Sequence, residues 1–433
     1  MKKLSPYFIN LKKTQSLFVI IMIIALFLFF SRAIISNGNM FRDVFQHYDL
    51  VDSGMDFFNS VVCTSYGEPY TIFKTLYPPL ANLFFYICYL CIPENISASW
   101  QVGFDNFNSL RNGVFDLRSW QHSLVIFLVY LQMSTLLFFL VVDKMLIIKN
   151  KLFSFLILFT FGLLFALERG NIIVVACICT MFFIHYKNVE NQPILRELAL
   201  LSLGVAVGLK VYPAVFSILL IRDKKIIEFF KVCLYSLMLF FLPFFAFNGI
   251  EDIYTWIETA KYIGTRNDMA IGTVYFGLNQ VVKTVLTNKA MSPLIMEYIN
   301  LGMILSFTRW LSLIFILIMS LCAIITKKGW KALLCLSLII ILSQQHSPVY
   351  NTIFIIPAFI EYINDNEELN ITNIVYFACF CLILVPLPAF GYYKTLFVIR
   401  FIALICLSIS MLSSLSGDLY VLKGYILDVS KKV

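Results

Sequence analysis

The chain has 433 residues, of which 60% are hydrophobic and only 13% charged, with a formal net charge of +8. Ordinary soluble domains carry about a quarter charged residues, so the composition excludes a water-soluble globule and implies an integral membrane protein. The basic excess gathers in a few loops, where it reports topology, and it is no evidence for a nucleic-acid partner.

Apolar runs recur from end to end. A membrane-spanning helix needs about 20 residues, so residues 1–433 read as one all-α polytopic domain with about 12 transmembrane helices. The first run, Ser16 to Ile35, follows Lys2, Lys3, Lys12 and Lys13. It is too long for a signal peptide and has no small-residue cleavage site, so it is expected to stay as a helix with its N-terminus inside. The polar stretch that follows then lies outside, and it holds Asp43, His47, Asp49, Asp52, Asp56 and Glu68.

If Tyr77 to Ile92 were a second crossing, Lys144, Lys149 and Lys151 would lie outside, against the positive-inside rule. That piece is therefore expected to be a juxtamembrane or re-entrant helix, opened by Pro78 and Pro79 where missing backbone donors cost least. The first extracytoplasmic loop runs over 37–121 and carries such helices. His122 to Val142 returns to the basic segment ending at Lys151, and Leu152 to Leu167 goes out to the turn Glu168-Arg169-Gly170-Asn171.

Ile172 to Tyr186 comes back. Leu198 to Ile221 is then interrupted at Gly208-Leu209-Lys210-Val211-Tyr212-Pro213, between two basic flanks that both belong inside. That pattern predicts two short helices with Lys210 at the tip, because irregular backbone at membrane depth survives only where protein or a wet cavity surrounds it. Ile227 to Phe247 crosses to a second extracytoplasmic loop over 248–300, which contains Arg266 and Asp268. Leu301 to Ile325, Leu333 to Ser343, Tyr350 to Ile363, Ile371 to Leu387 and Thr395 to Leu415 complete the spans, with a Gln344-Gln345-His346-Ser347-Pro348 turn among them. The acidic segment from Asp365 fits a cytoplasmic loop poorly by charge.

On this topology Asp56, Tyr77, Glu168, Arg169, Asn171, Lys210, Tyr212, Arg266 and His346 all fall at the extracytoplasmic side. A charge at bilayer depth costs roughly 2.5–3.5 kcal/mol, so it is paired, snorkelled or functional. Arg169 can grip a phosphodiester as a fork and Lys210 as a point charge, with His346 as a further donor. A carboxylate beside them can act as general base on an attacking hydroxyl. Asp56 is the candidate, with Asp49 the runner-up. Arg169 can equally pair with Glu168, and Arg309 and Arg400 are expected to snorkel. Asp43 and His47 can reach a divalent metal with Asp56 only without tight ligand spacing, so no metal or other cofactor is expected. The 11 cysteines lie almost all in apolar runs and read as packing residues.

Five motifs occur in order: Asp56-Phe57, Tyr77-Pro78-Pro79-Leu80, Arg169-Gly170-Asn171, Gly208-Leu209-Lys210-Val211-Tyr212-Pro213 and Ser347-Pro348. Together they resemble glycosyltransferase family 87, also called DUF2029, within the GT-C superfamily. The resemblance implies a polytopic enzyme that takes a hexose, often mannose, from a polyprenyl-phosphate sugar donor. It would pass that sugar to a lipid or glycan acceptor at the outer face of a bacterial cytoplasmic membrane, with inversion, and with membrane lipid as a further partner. It also implies that Asp56 is the base and that Arg169 and Lys210 form the donor-phosphate side. The chain departs from the family pattern at Asn59-Ser60-Val61, and it has Val349-Tyr350-Asn351 where a tryptophan is usual after the Ser-Pro turn. Two other readings stay open: a transporter or flippase of a lipid-linked saccharide, which would more often show inverted repeats, and an O-antigen-type ligase or polymerase, with a large arginine-bearing loop late in the chain.

Overall fold

The computed structural model describes residues 6–45, 53–92, 121–265, 275–278, 281–282, 301–344, 347–365, 370–388 and 394–430. Among the described residues seventeen α-helices run in this order: α1 Pro6–Ile35, α2 Asn39–Val44, α3 Met55–Ser65, α4 Pro79–Leu90, α5 Gln121–Met145, α6 Lys151–Ile157, α7 Phe161–Glu168, α8 Ile173–Tyr186 and α9 Pro193–Leu209, then α10 Ile218–Arg222, α11 Ile226–Phe241, α12 Ile250–Thr265, α13 Leu301–Ile325, α14 Gly329–Leu342, α15 Ile355–Asn364, α16 Ile371–Leu384 and α17 Lys394–Ser430. The 3-10 turns Tyr212–Ser217, Leu242–Ala246 and Val349–Phe354 join neighbouring helices. No strand occurs among the described residues.

The chain is an all-α, multi-pass membrane protein. Among the described residues five helical stretches are long and apolar enough to cross a bilayer: Lys13–Ile35, Gln121–Met145, Ile226–Ala246, Ser306–Ile325 and Leu396–Ser414. They present apolar side chains outward, such as Phe27 at 71% and Leu317 at 65% exposure, as a helix facing lipid must. Behind them α14 is buried on every side, from Trp330 and Ala332 through Leu342. A helix that is apolar all round belongs inside other helices.

Two interruptions shape the interior. The run read as one outward helix is the pair α6 and α7, bent by 55° at a short break. Thr160 turns its hydroxyl back onto the Ile157 carbonyl there, and Gly162 lies so close to the turn Val349–Phe354 that a Cβ would sit 2.4 Å from Thr352 Oγ1. The bend follows from that close backbone approach. At the second interruption α9 ends at Leu209, Lys210 is extended, and the chain turns through Tyr212–Ser217 into the short α10.

The polar contacts sort to two ends of the bundle. One end holds basic turns. Lys187 pairs with Asp223, Arg222 Nη2 donates to the Lys327 carbonyl at 3.0 Å, and Lys328 pairs with Asp365 at 3.1 Å. The Lys328 pairing supplies the partner that makes an acidic residue acceptable there. Asn364 clamps the same end, donating to the Met145 carbonyl at 2.8 Å and accepting from the Ile147 amide at 3.0 Å. The opposite end gathers the start of α3, the turn before α4, the end of α7 and the Lys210 turn. Arg400 departs from the snorkelling expectation: it is 2% exposed, and its guanidinium lies 3.6 Å from the centre of the Phe161 ring.

Candidate functional site

Gly54 opens α3 with φ of 71°, and its own Cβ, if present, would strike the Phe58 ring at 2.9 Å. Asp56 follows as the second residue of the helix, where unsatisfied amides favour an anion. Those amides find their partners in the turn after α7. Gly54 N donates to the Glu168 carbonyl at 2.9 Å, and Asp56 N donates to that of Arg169 at 3.0 Å. Gly170 completes the turn with φ of 65°, and a Cβ would lie 2.6 Å from Phe127 Cε2 and 2.7 Å from Phe57 Cβ. This backbone lock, made over more than a hundred residues of chain, is what sets Arg169 and Asn171 beside Asp56.

The side chains then divide the carboxylate between two donors. Arg169 Nη2 donates to Asp56 Oδ1 at 3.0 Å, and Asn171 Nδ2 donates to Oδ2 at 2.7 Å. Asn171 is fully buried, and every one of its groups is engaged. Its Nδ2 also reaches Tyr77 Oη at 3.2 Å, its Oδ1 accepts from Ile173 N at 2.9 Å, and its carbonyl accepts from Tyr130 Oη at 2.8 Å. Glu168 does not pair with Arg169; its Oε1 accepts from the Ser53 hydroxyl at 2.6 Å. Burial, and then the Asp56 charge, push the Tyr77 phenol well above its ordinary value, so it stays a neutral donor and acceptor.

Lys210 approaches from the other side of Tyr77. Its Nζ lies 4.1 Å from the centre of the Tyr77 ring, a cation–π contact, and among the described residues it has no carboxylate within ion-pair distance. Two residues on, Tyr212 Oη donates to Asn351 Oδ1 at 3.3 Å, and Asn351 Nδ2 donates to Ser347 Oγ at 3.0 Å. Phe276 N donates to the Ser347 carbonyl at 2.8 Å, which joins the second long loop to the same wall. Asp56, Tyr77, Arg169, Asn171, Lys210 and Tyr212 thus come together at one end of the bundle. Arg266, His346 and Asp49 lie outside the described residues. Among the described residues no group of three His, Cys, Asp or Glu side chains converges as metal ligands do.

Three participants escaped the reading of the sequence. Tyr130 is one tyrosine inside the long apolar helix α5, with no local signal of its role. Tyr350, close enough to Asp56 and Arg169 for their charges to act on its phenol, and Asn351 stood in the departure after the Ser-Pro turn. That departure was itself the signal, since a tyrosine and an asparagine replacing an apolar ring bring hydrogen-bonding groups to the wall.

Comparison of the chain with protein-family models, with curated proteins and with solved structures gave no match.

Proposed function

We propose that the protein is a GT-C-type integral membrane glycosyltransferase of the family 87 kind, with about 12 crossings in a bacterial cytoplasmic membrane and its site facing outward. One observation carries the reading: a carboxylate held by an arginine and an amide, with a lysine beside it that no described carboxylate neutralises. Asp56 and Arg169 cancel in charge, so Lys210 leaves the cluster cationic and suited to an anionic substrate group.

In the proposed reaction the donor is a polyprenyl-phosphate hexose, its phosphate on Lys210 and the exposed edge of Arg169. Asp56 takes the proton of an acceptor hydroxyl as that oxygen attacks the anomeric carbon. The bond from that carbon to the phosphate oxygen breaks, its electron pair leaves with the polyprenyl phosphate, and the configuration inverts in the single displacement. A phosphate leaves as an anion and needs no general acid. Asn171 holds the base in register through its donors to Asp56 and Tyr77.

The test is transfer by purified protein in detergent, with a panel of labelled polyprenyl-phosphate sugars and membrane lipid extract as acceptor. Wild type is expected to transfer one sugar, and a folded Asp56→Asn variant to lose transfer by at least about a hundredfold, the low end for a general base. Equal transfer by the variant would remove Asp56 from the role. Failure of every donor with wild type would favour carriage of a lipid-linked saccharide across the membrane instead.

A further inference from the structure

A groove of about 500 Å³ runs along the lipid-facing side of the bundle between α9 with its following 3-10 turn and α11. Small side chains hollow it. Ala214, Ser217, Cys233 and Ser236 line its length, Val207 lines one wall, and Trp256 of α12 stands over it. Its volume lies in the range of sites that hold a small organic ligand, and its lining is almost wholly apolar. Neighbouring apolar side chains, Leu237 at 56% and Phe241 at 40% exposure, open it sideways to the bilayer.

The outer end of the groove abuts the polar cluster through two pairs of consecutive residues. Val211 lines the groove while Lys210 lies against Tyr77. Leu76 offers its carbonyl to the Trp256 indole at 3.3 Å while Tyr77 faces Asn171. Trp256 also packs edge-on against Phe240, with ring centres 5.2 Å apart, so the indole closes the apolar channel at the level where the charged residues begin. Gly208 makes this adjacency possible: a Cβ there would meet Leu80 at 2.8 Å and the Leu239 carbonyl at 3.0 Å, so α9, α4 and α11 touch only because it has none.

An occupant must therefore be apolar along its length, anionic at its outer end, and a single chain, because the channel is one helix gap wide and at its end stands Lys210, which pairs with no carboxylate among the described residues. We infer that the groove between α9 and α11 holds the chain of a single-chain lipid phosphate, a polyprenyl phosphate, with Trp256 marking where chain ends and headgroup begins. This rests on the proposed donor and assigns the path by which that donor enters, laterally from the bilayer.

The test is photolabelling of the full-length protein in detergent with a polyprenyl phosphate bearing a mid-chain diazirine, mapped by peptide mass spectrometry. Labels are expected within residues 207–217 and 232–241. Ser236→Trp, which fills the channel from its lipid side, is expected to weaken labelling about tenfold, the equivalent of roughly two methylenes withdrawn from apolar contact. Ser236→Ala is expected to leave it unchanged, and a melting curve establishes that both variants fold. Lys210→Met is expected to lower labelling by the phosphate probe to the level given by the matching neutral polyprenol. Labels elsewhere, full labelling of Ser236→Trp, or equal competition by phosphatidylglycerol would overturn the assignment. The transfer assay separates the two claims: groove labelling without transfer by wild type leaves the groove and removes the enzyme, and transfer with labels elsewhere does the reverse.

Discussion

Replacing Asn171 by aspartate tests the geometry of the cluster without presuming its chemistry. In the wild type Asn171 Nδ2 lies 2.7 Å from Asp56 Oδ2, a hydrogen bond to a charged group worth about 1.5–3 kcal/mol. Asn171→Asp keeps the shape and the acceptor for Ile173 N, but it sets a second carboxylate oxygen where the donor was. Two carboxylates that close share one proton, and raising one acid by roughly 2–3 units places about 3–4 kcal/mol against folding at neutral pH, less what Arg169 offsets. An acid raised in the folded state contributes stability that is full below its unfolded value, near 4, and lost as pH rises through the raised value. The variant's melting deficit in detergent is therefore expected to be large near pH 7 and to narrow steadily toward pH 5. Asn171→Ala is the control: it removes both the acceptor for Ile173 N and the donor to Asp56, at about 1–3 kcal/mol for each group left unpaired, but adds no second carboxylate and so lacks the rise in deficit between pH 5 and pH 7. A deficit for Asn171→Asp that stays flat across that range, or is absent, would refute the contact between Asn171 and Asp56.

Gly170→Ala is expected to lower the melting temperature through a φ of 65° and a collision with Phe127 and Phe57, a cost of more than about 1 kcal/mol, measured by scanning fluorimetry. Gly162→Ala presses a methyl onto Thr352 Oγ1 at 2.4 Å and Ile353 N at 2.9 Å, and about 1–3 kcal/mol of destabilisation is expected from the same measurement. Asp365→Ala, which removes the half-exposed pair with Lys328, is expected to cost less than about 1 kcal/mol and to serve as the mild reference. Asp252 is enclosed at the start of α12, accepting from Asn248 N at 2.9 Å, and burial raises its carboxyl above the usual range. Its contribution is present at low pH and lost as pH rises through the raised value, so Asp252→Asn is expected to match wild type below the ordinary carboxylate range and to melt higher once the pH exceeds the raised value, read from melting curves across pH.

The membrane character, the long apolar helices and the short helix opened by Pro78 and Pro79 were legible in the sequence because each is written in a local run of side chains. The turn at Lys210 was legible for the same reason, since a lysine and a proline inside an apolar stretch announce broken backbone. The bend between α6 and α7 was not. Nothing in Leu158-Phe159-Thr160 breaks a helix by itself, and the cause lies about 190 residues away in the turn that Gly162 must accommodate. Arg400 was misjudged likewise: its place near a helix end suggests snorkelling, whereas its environment is the Phe161 ring on another helix. Tyr130 was invisible because only the arrival of the Asn171 carbonyl gives it a partner.

The cluster sits where helices end, and the reason is physical. Inside a helix every amide is spent within the segment, and in an apolar surrounding a polar side chain must then find its partner unaided. At an end the backbone itself has donors and acceptors to offer. Here the free amides of α3 take the free carbonyls of the turn after α7, and that exchange holds Asp56 and Asn171 in contact before any side chain acts. Lys210, extended at the end of α9, reaches the same place over the Tyr77 ring, so it is held by an aromatic face and keeps its donors. An ion pair would have consumed the lysine's charge. The ring positions it and leaves its ammonium donors unspent among the described residues; if they hold the proposed donor phosphate, Lys210→Arg, with its planar fork in place of a point charge, is expected to keep the stacking yet misplace the donors, read as an unchanged melting temperature with reduced transfer in the detergent assay.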